Sequence, residues 1–253
     1  MVQGPTHAMS GAAAGLALST ALPATWGGAT GTAEILAFTG LTAGAALLPD
    51  LDAPGSTVAR AFGPLTGLVA RLAASLSVLV VNATASRGDT RITGGHRTAT
   101  HTLWFALLAG ALAWGIGGAS GDAGVVGMLV FLSGLALRGL FPRWSGGRAG
   151  PVVVVVAVGL GIGAWYTVPA LRTPLMPASA VTVGVIVHLA GDMLTKSGVP
   201  LTSPLIPRGG KRWWNWTLPG AVTVRTSGVR DQALLLVFTA LTAWQLHLVL
   251  MGG

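Results

Sequence analysis

The sequence predicts an all-α polytopic membrane protein, a bundle of about seven transmembrane helices with one further helix, residues 61–83, lying in the interface or re-entering it. Three observations carry this. The chain of 253 residues is 52% hydrophobic and only 9% charged, against roughly 25% charged in an average soluble domain. Its 15 basic and 7 acidic residues could not solvate a soluble surface of this size, whereas a bilayer favours an apolar one. Apolar runs fall at 8–26, 31–48, 102–119, 122–141, 150–168, 178–195 and 232–250, each near the ~20 residues that cross a hydrocarbon core. Finally, lysine and arginine are placed asymmetrically.

That asymmetry sets the topology. If 61–83 does not cross, Arg60, Arg71, Arg87, Arg91, Arg97, Arg138, Arg143, Arg148, Lys196, Arg208, Lys211, Arg212, Arg225 and Arg230 share one side, and Arg172 alone lies opposite. By the positive-inside rule that side is the cytoplasm, and the amino terminus lies there too. A crossing at 61–83 would separate Arg60 from Arg97 and weaken the bias, so an interfacial or re-entrant helix is preferred.

In order along the chain, the first run is rich in glycine and alanine, which let membrane helices approach closely. Gly27-Gly28-Ala29 and Gly117 to Gly121 read as tight turns, Pro49 ends the second run, and Pro169, Pro174 and Pro177 break the chain before the sixth. Lys211, Arg212, Trp213, Trp214 and Trp216 form a basic aromatic stretch suited to anchoring at anionic headgroups. The last run, 232–250, carries His247, read as structural or interfacial. No repeat divides the chain, so residues 1–253 are read as a single integral membrane domain. The absence of cysteine excludes disulfides, thiolate metal sites and a cysteine nucleophile. Nucleic-acid binding lacks any soluble basic domain to perform it.

The scarce polar residues concentrate at helix ends on the cytoplasmic side: His7, Asp50 with Asp52, His96 with His101, and His188 with Asp192. Ionisable groups so close to hydrocarbon are costly unless paired or bound to a cation. After Pro49, alternation along extended backbone would point Asp50 and Asp52 the same way. His188 and Asp192 share a helix face, as two metal ligands or as an imidazole with its orienting carboxylate. His96 and His101 would lie ~140° out of phase on one helix. His96 is therefore expected on the loop after Gly94-Gly95 and His101 at a helix start, with Thr100 and Thr102 as possible caps. Four imidazoles and three carboxylates suffice for one or two divalent ions, zinc first, with manganese and iron compatible. Such ions favour hydrolysis of a phosphoester, with Asp50, Asp52 or Asp192 as base and Arg97 steadying the substrate anion.

The ordered set His7, Pro-Asp-Leu-Asp at 49–52, His-Arg-x-x-Thr-His at 96–101 and His-x-x-x-Asp with Thr-x-x-Gly-Val-Pro-Leu at 188–201 resembles the YdjM-type bacterial inner-membrane proteins, described as metal-dependent hydrolase-like. The resemblance implies a multi-pass protein of the cytoplasmic membrane in which His7, Asp50, Asp52, His96, His101, His188 and Asp192 form the metal site. Where members often carry a further histidine after the second aspartate, Ala53 stands here, and Thr102 replaces a frequent serine. The leading expectation is a hydrolase acting on a membrane phospholipid or lipid-linked phosphoester. The alternative is a metal or proton transporter, or a metal-stabilised protein without catalysis; a transporter site should sit near the bilayer midplane between broken helices.

Overall fold

The computed structural model describes residues 3–145, 149–220 and 223–252, and Arg148, counted above among the cytoplasmic cations, lies outside them. Eight α-helices form among the described residues: α1 (Gly4–Ser19), α2 (Thr32–Ala45), α3 (Pro64–Thr84), α4 (Leu103–Ala119), α5 (Gly121–Leu140), α6 (Ala149–Thr167), α7 (Leu175–Met193) and α8 (Val229–Met251). They occupy the seven apolar runs and the 61–83 stretch. Strand-like pairing is limited among these residues to isolated bridges such as Thr195 with Val224 and Val199 with Trp216.

The seven helices other than α3 alternate in direction. Gly11 of α1 rests on Thr42 of α2 and on Ala46 just past its end, and Gly15 on Thr39, so these two run antiparallel. Gly184 of α7 meets the same Thr42 carbonyl, where an added Cβ would lie 2.6 Å from the oxygen. The two glycines let α1 and α7 close on one turn of α2, a contact only small residues permit. Arg138, buried near the end of α5, donates to the carbonyl oxygens of Ala61 and Gly150 and so ties α5 to the chain entering α3 and to the start of α6. Phe38, Leu47, Leu132, Leu135, Leu171, Met176 and Leu189 fill the shared core.

Among the described residues six segments are long and apolar enough to cross a membrane: 32–52, 64–84, 121–140, 150–167, 175–193 and 229–251. The count includes α3 and omits α1 and α4, whose 16 and 17 residues rise ~25 Å at 1.5 Å per residue. Yet α3 differs from the other long helices in what it touches. It packs chiefly on three short 3-10 turns, Pro49–Asp52, Val58–Arg60 and Ala99–His101. Thr66, Ala70, Ser77 and Val81 face inward, while Leu65, Leu68, Leu72, Leu76 and Leu79 are exposed.

After Thr84 the chain doubles back along α3. Asn82 exchanges hydrogen bonds with the backbone of Ile92, and Gly95 lies so close to Ala74 that a Cβ would sit 2.2 Å from its carbonyl oxygen. His96 then meets Asp52, so the chain returns to the side it left. The far end of the excursion is clamped to the 196–220 segment: Asp89 accepts from the backbone N–H groups of Arg212 and Trp213, and Trp213 Nε1 donates to Thr84.

Candidate metal centre

Every piece of the centre arrives at one end of the bundle. His7 sits in the second turn of α1, whose start is fastened to α8. Asp231, fully buried, accepts from the Thr6 hydroxyl at 2.8 Å and from the Gln3 and Ser227 backbone N–H groups. Asp50 and Asp52 do not lie on extended backbone as their spacing suggested. Pro49 begins a 3-10 turn that carries both, a first-turn position where its missing N–H costs nothing. The two carboxylates consequently serve different partners.

Asp52 gathers the loop after α3. Its Oδ1 lies 2.6 Å from His96 Nδ1, and its Oδ2 accepts from the Arg97 backbone N–H at 3.0 Å and from the Thr100 hydroxyl. Arg97 adopts φ 57° to make that bond, a left-handed conformation that a non-glycine residue holds only when its surroundings enforce it. Its guanidinium meanwhile pairs with Asp192 Oδ2 and donates to Thr195 Oγ1 at 3.0 Å. One residue thus bridges two of the three carboxylates. His101 follows in the 3-10 turn Ala99–His101, and Thr102, not Thr100, caps α4 by accepting from Phe105 N–H.

His188 and Asp192 share the inward face of α7, as their spacing predicted. His188 Nδ1 lies 2.7 Å from the Ala46 carbonyl oxygen, which can only accept, so Nδ1 carries the proton and Nε2 presents its lone pair. That lone pair faces His101 Nε2 at 3.2 Å, Asp192 Oδ2 at 3.7 Å and Asp50 Oδ1 at 3.9 Å. The His7 ring stacks on His188 with centroids 3.8 Å apart, and its Nε2 lies 3.4 Å from Asp192 Oδ1.

Two overlapping triads result, His7 with His188 and Asp192, and Asp50 with His101 and His188, each with ligand atoms within 4.8 Å of one another. The residues fit a cation. Both ring nitrogens of His7 and Oδ1 of Asp50 are buried without a hydrogen bond among the described residues, an arrangement that costs free energy unless something else binds there. Three buried carboxylates also gather here, and the Arg97 guanidinium pairs with one of them, Asp192. His101 answers the same field: burial alone would lower its pKa, but the carboxylates of Asp192 and Asp52 raise it to about 9. A bound cation would take that proton's place.

Of the seven predicted ligands, His7, Asp50, His101, His188 and Asp192 make up these triads. Asp52 and His96 stand beside them as a hydrogen-bonded pair, and His96 is the more open of the two, 33% exposed. It lines a cavity of about 390 Å³ together with residues 52–55, Ala74, Ser75, Val78 and 93–95. Asp231 supports the centre without having been singled out, while Thr100, read as a helix cap, instead donates to Asp52, and Thr195, part of the quoted motif, accepts from Arg97. Asp231 carried the same signal as Asp50 and Asp52, a rare acid at the edge of an apolar run.

Fold and site together define a multi-pass membrane protein with a buried His/Asp centre, able to hold a metal ion, at one end of its bundle. The chain belongs to the YdjM inner membrane protein family, whose model matches residues 1–147. No curated protein and no solved structure matches it.

Proposed function

We propose that the protein is a metal-dependent hydrolase working at the cytoplasmic face of the membrane on a phosphoester carried by a membrane lipid. The observation that carries this reading is the pair of triads sharing His188 beside a separate, partly exposed Asp52–His96 pair. Five residues are placed to hold one or two divalent ions, zinc by preference for this mixture of imidazole and carboxylate. A divalent ion bound there supplies Lewis acidity toward a phosphoryl oxygen and makes nearby water a stronger acid.

The chain's own residues supply the rest. Asp52 orients the His96 ring, which lines the cavity, for service as a proton acceptor, the role a carboxylate plays for an imidazole in other hydrolases. Arg97 fixes Asp192, and Thr100 fixes Asp52, so that neither carboxylate turns away from the triads. Depth favours this reading over transport: the helices that reach the centre do so by their ends, without the unwound midpoints of an ion pathway.

The test is metal analysis of the purified protein joined to hydrolysis of phosphatidic acid and a polyprenyl phosphate ester in nanodiscs. Stoichiometric metal is expected in the wild type, with His96→Gln keeping the metal while losing turnover. A protein without bound transition metal that is equally active as Asp50→Ala would overturn the proposal.

A further inference from the structure

Beside the centre, and sharing no lining residue with the cavity at His96, α1, α7 and α8 enclose a groove of about 440 Å³. It starts at His7 and Gly191 and continues past Ser10, Ala14 and Ala17 to Leu241 and Gln245. From His7 to Ala17 is ten residues of helix, ~15 Å at 1.5 Å per residue. Small side chains make the hollow on α1 and α7, and Leu234, Phe238 and Leu241 of α8 form its apolar wall. Gln245 adds a polar side chain at the far end.

A second groove of the same volume lies between α2, α5 and α6, lined by Leu36, Gly40, Gly159, Leu160 and Gly163 among others. It has no member of the metal centre in its wall. The first is distinguished by continuity: His7 lines it and also belongs to a triad, and Gly191 leaves the ring so close that an added Cβ would lie 3.2 Å from it. The space is of ligand size. Two of its three helices, α7 and α8, are of membrane-spanning length, so the molecules at hand to fill it are lipid chains.

We infer that the α1/α7/α8 groove is the binding site for one hydrocarbon tail of the phosphate-bearing lipid, holding the headgroup at the His7 edge of the centre. This rests on the phosphoester reading above and gives its substrate an anchor. Lipid then approaches from the bilayer beside His7 and water from the cavity at His96, by two separate routes to one cluster.

The test uses the full chain in nanodiscs and a phosphatidic acid bearing a diazirine near the end of one acyl chain. After illumination, peptides containing Ala14, Ala17 and Leu241 should be labelled roughly tenfold more than those of the α2/α5/α6 groove, a preference of about 1.4 kcal/mol. Ala14→Trp, or Leu241→Trp should the first fail to fold, should abolish that labelling while leaving metal content unchanged. Equal labelling of the two grooves, or labelling that survives the tryptophan, would overturn the inference. Neither readout needs turnover. Selective labelling without hydrolysis would leave the groove standing and sink the hydrolase reading, and hydrolysis with indiscriminate labelling would do the reverse.

Discussion

Residues 1–147, which the family model covers, and the rest of the chain contribute to the centre unequally and in different ways. The first part supplies His7, Asp50, Asp52, His96, Arg97 and His101, most of them on turns or at helix starts. The second supplies two of the seven predicted ligands, His188 and Asp192, one turn apart on a single helix, with Thr195 and Asp231 in support. Yet His188 belongs to both triads, and Asp192 is the partner of Arg97 and His7. The family-matched segment is therefore half a site: rich in ligands, held in place by turns, and dependent on one rigid helix for closure. Rigidity explains the economy. A helix fixes two side chains relative to each other at no cost in loop ordering, whereas each turn residue must be immobilised separately.

The largest expected effect is that of Asp192→Ala. Removing one partner of a buried ion pair strands the Arg97 guanidinium, only 11% exposed, at a cost of about 3–5 kcal/mol. The variant should lose both its metal and much of its thermal stability in detergent, and unchanged melting would show that the second part merely decorates the first. Next, His188→Ala should empty both triads, whereas His7→Ala should spare the one formed by Asp50, His101 and His188. Metal-to-protein ratios after dialysis distinguish the two, and equal ratios would mean that a single ion occupies the centre.

Within the first part, Thr100→Val removes a hydroxyl from Asp52 and should weaken metal binding by roughly tenfold, as loss of a supporting hydrogen bond does at other metal sites. Thr102→Val should instead cost about 1 kcal/mol of stability through the α4 cap and leave metal affinity alone. Calorimetric titration with zinc reads both.

The smallest effect belongs to Asp89, far from the centre. Partial burial would raise its pKa, but hydrogen bonds from Ser86, Trp213 and Arg212 lower it below the ordinary carboxylate value. Its depressed pKa means that its stabilisation is present above that ordinary value, near about pH 4, and fades as acid takes the pH through the lower folded value. Hydrogen exchange over residues 85–95 should accelerate on acidification in the wild type and be fast and pH-independent, after correction for intrinsic rates, in Asp89→Asn.

Much of this was legible in the sequence because a bilayer makes polarity conspicuous. Every acid or imidazole at the edge of an apolar run costs free energy to keep there, so scarcity pointed to His7, Asp50, Asp52, His96, His101, His188 and Asp192. The i to i+4 relation of His188 and Asp192 needed only helix geometry. Local backbone was harder to read. Pro49 signalled the end of a helix but not the 3-10 turn that sends Asp50 and Asp52 to separate partners, since that turn is held by the packing of α3 above it. The left-handed Arg97 was invisible for a related reason: arginine has no preference for that conformation, which the bonds to Asp52 and Asp192 impose. The bond from His188 to the Ala46 carbonyl joins residues 142 apart in sequence and left no local trace at all.

That bond also sets an order of events in time. The Ala46 carbonyl and most of the ligands leave the ribosome well before α7 does, so an unfinished chain carries buried carboxylates with no imidazole from His188 to complete either triad. Closure waits until the seventh helix is inserted beside the second. A nascent protein halted before residue 188 completes neither triad, and both close only once α7 is in place.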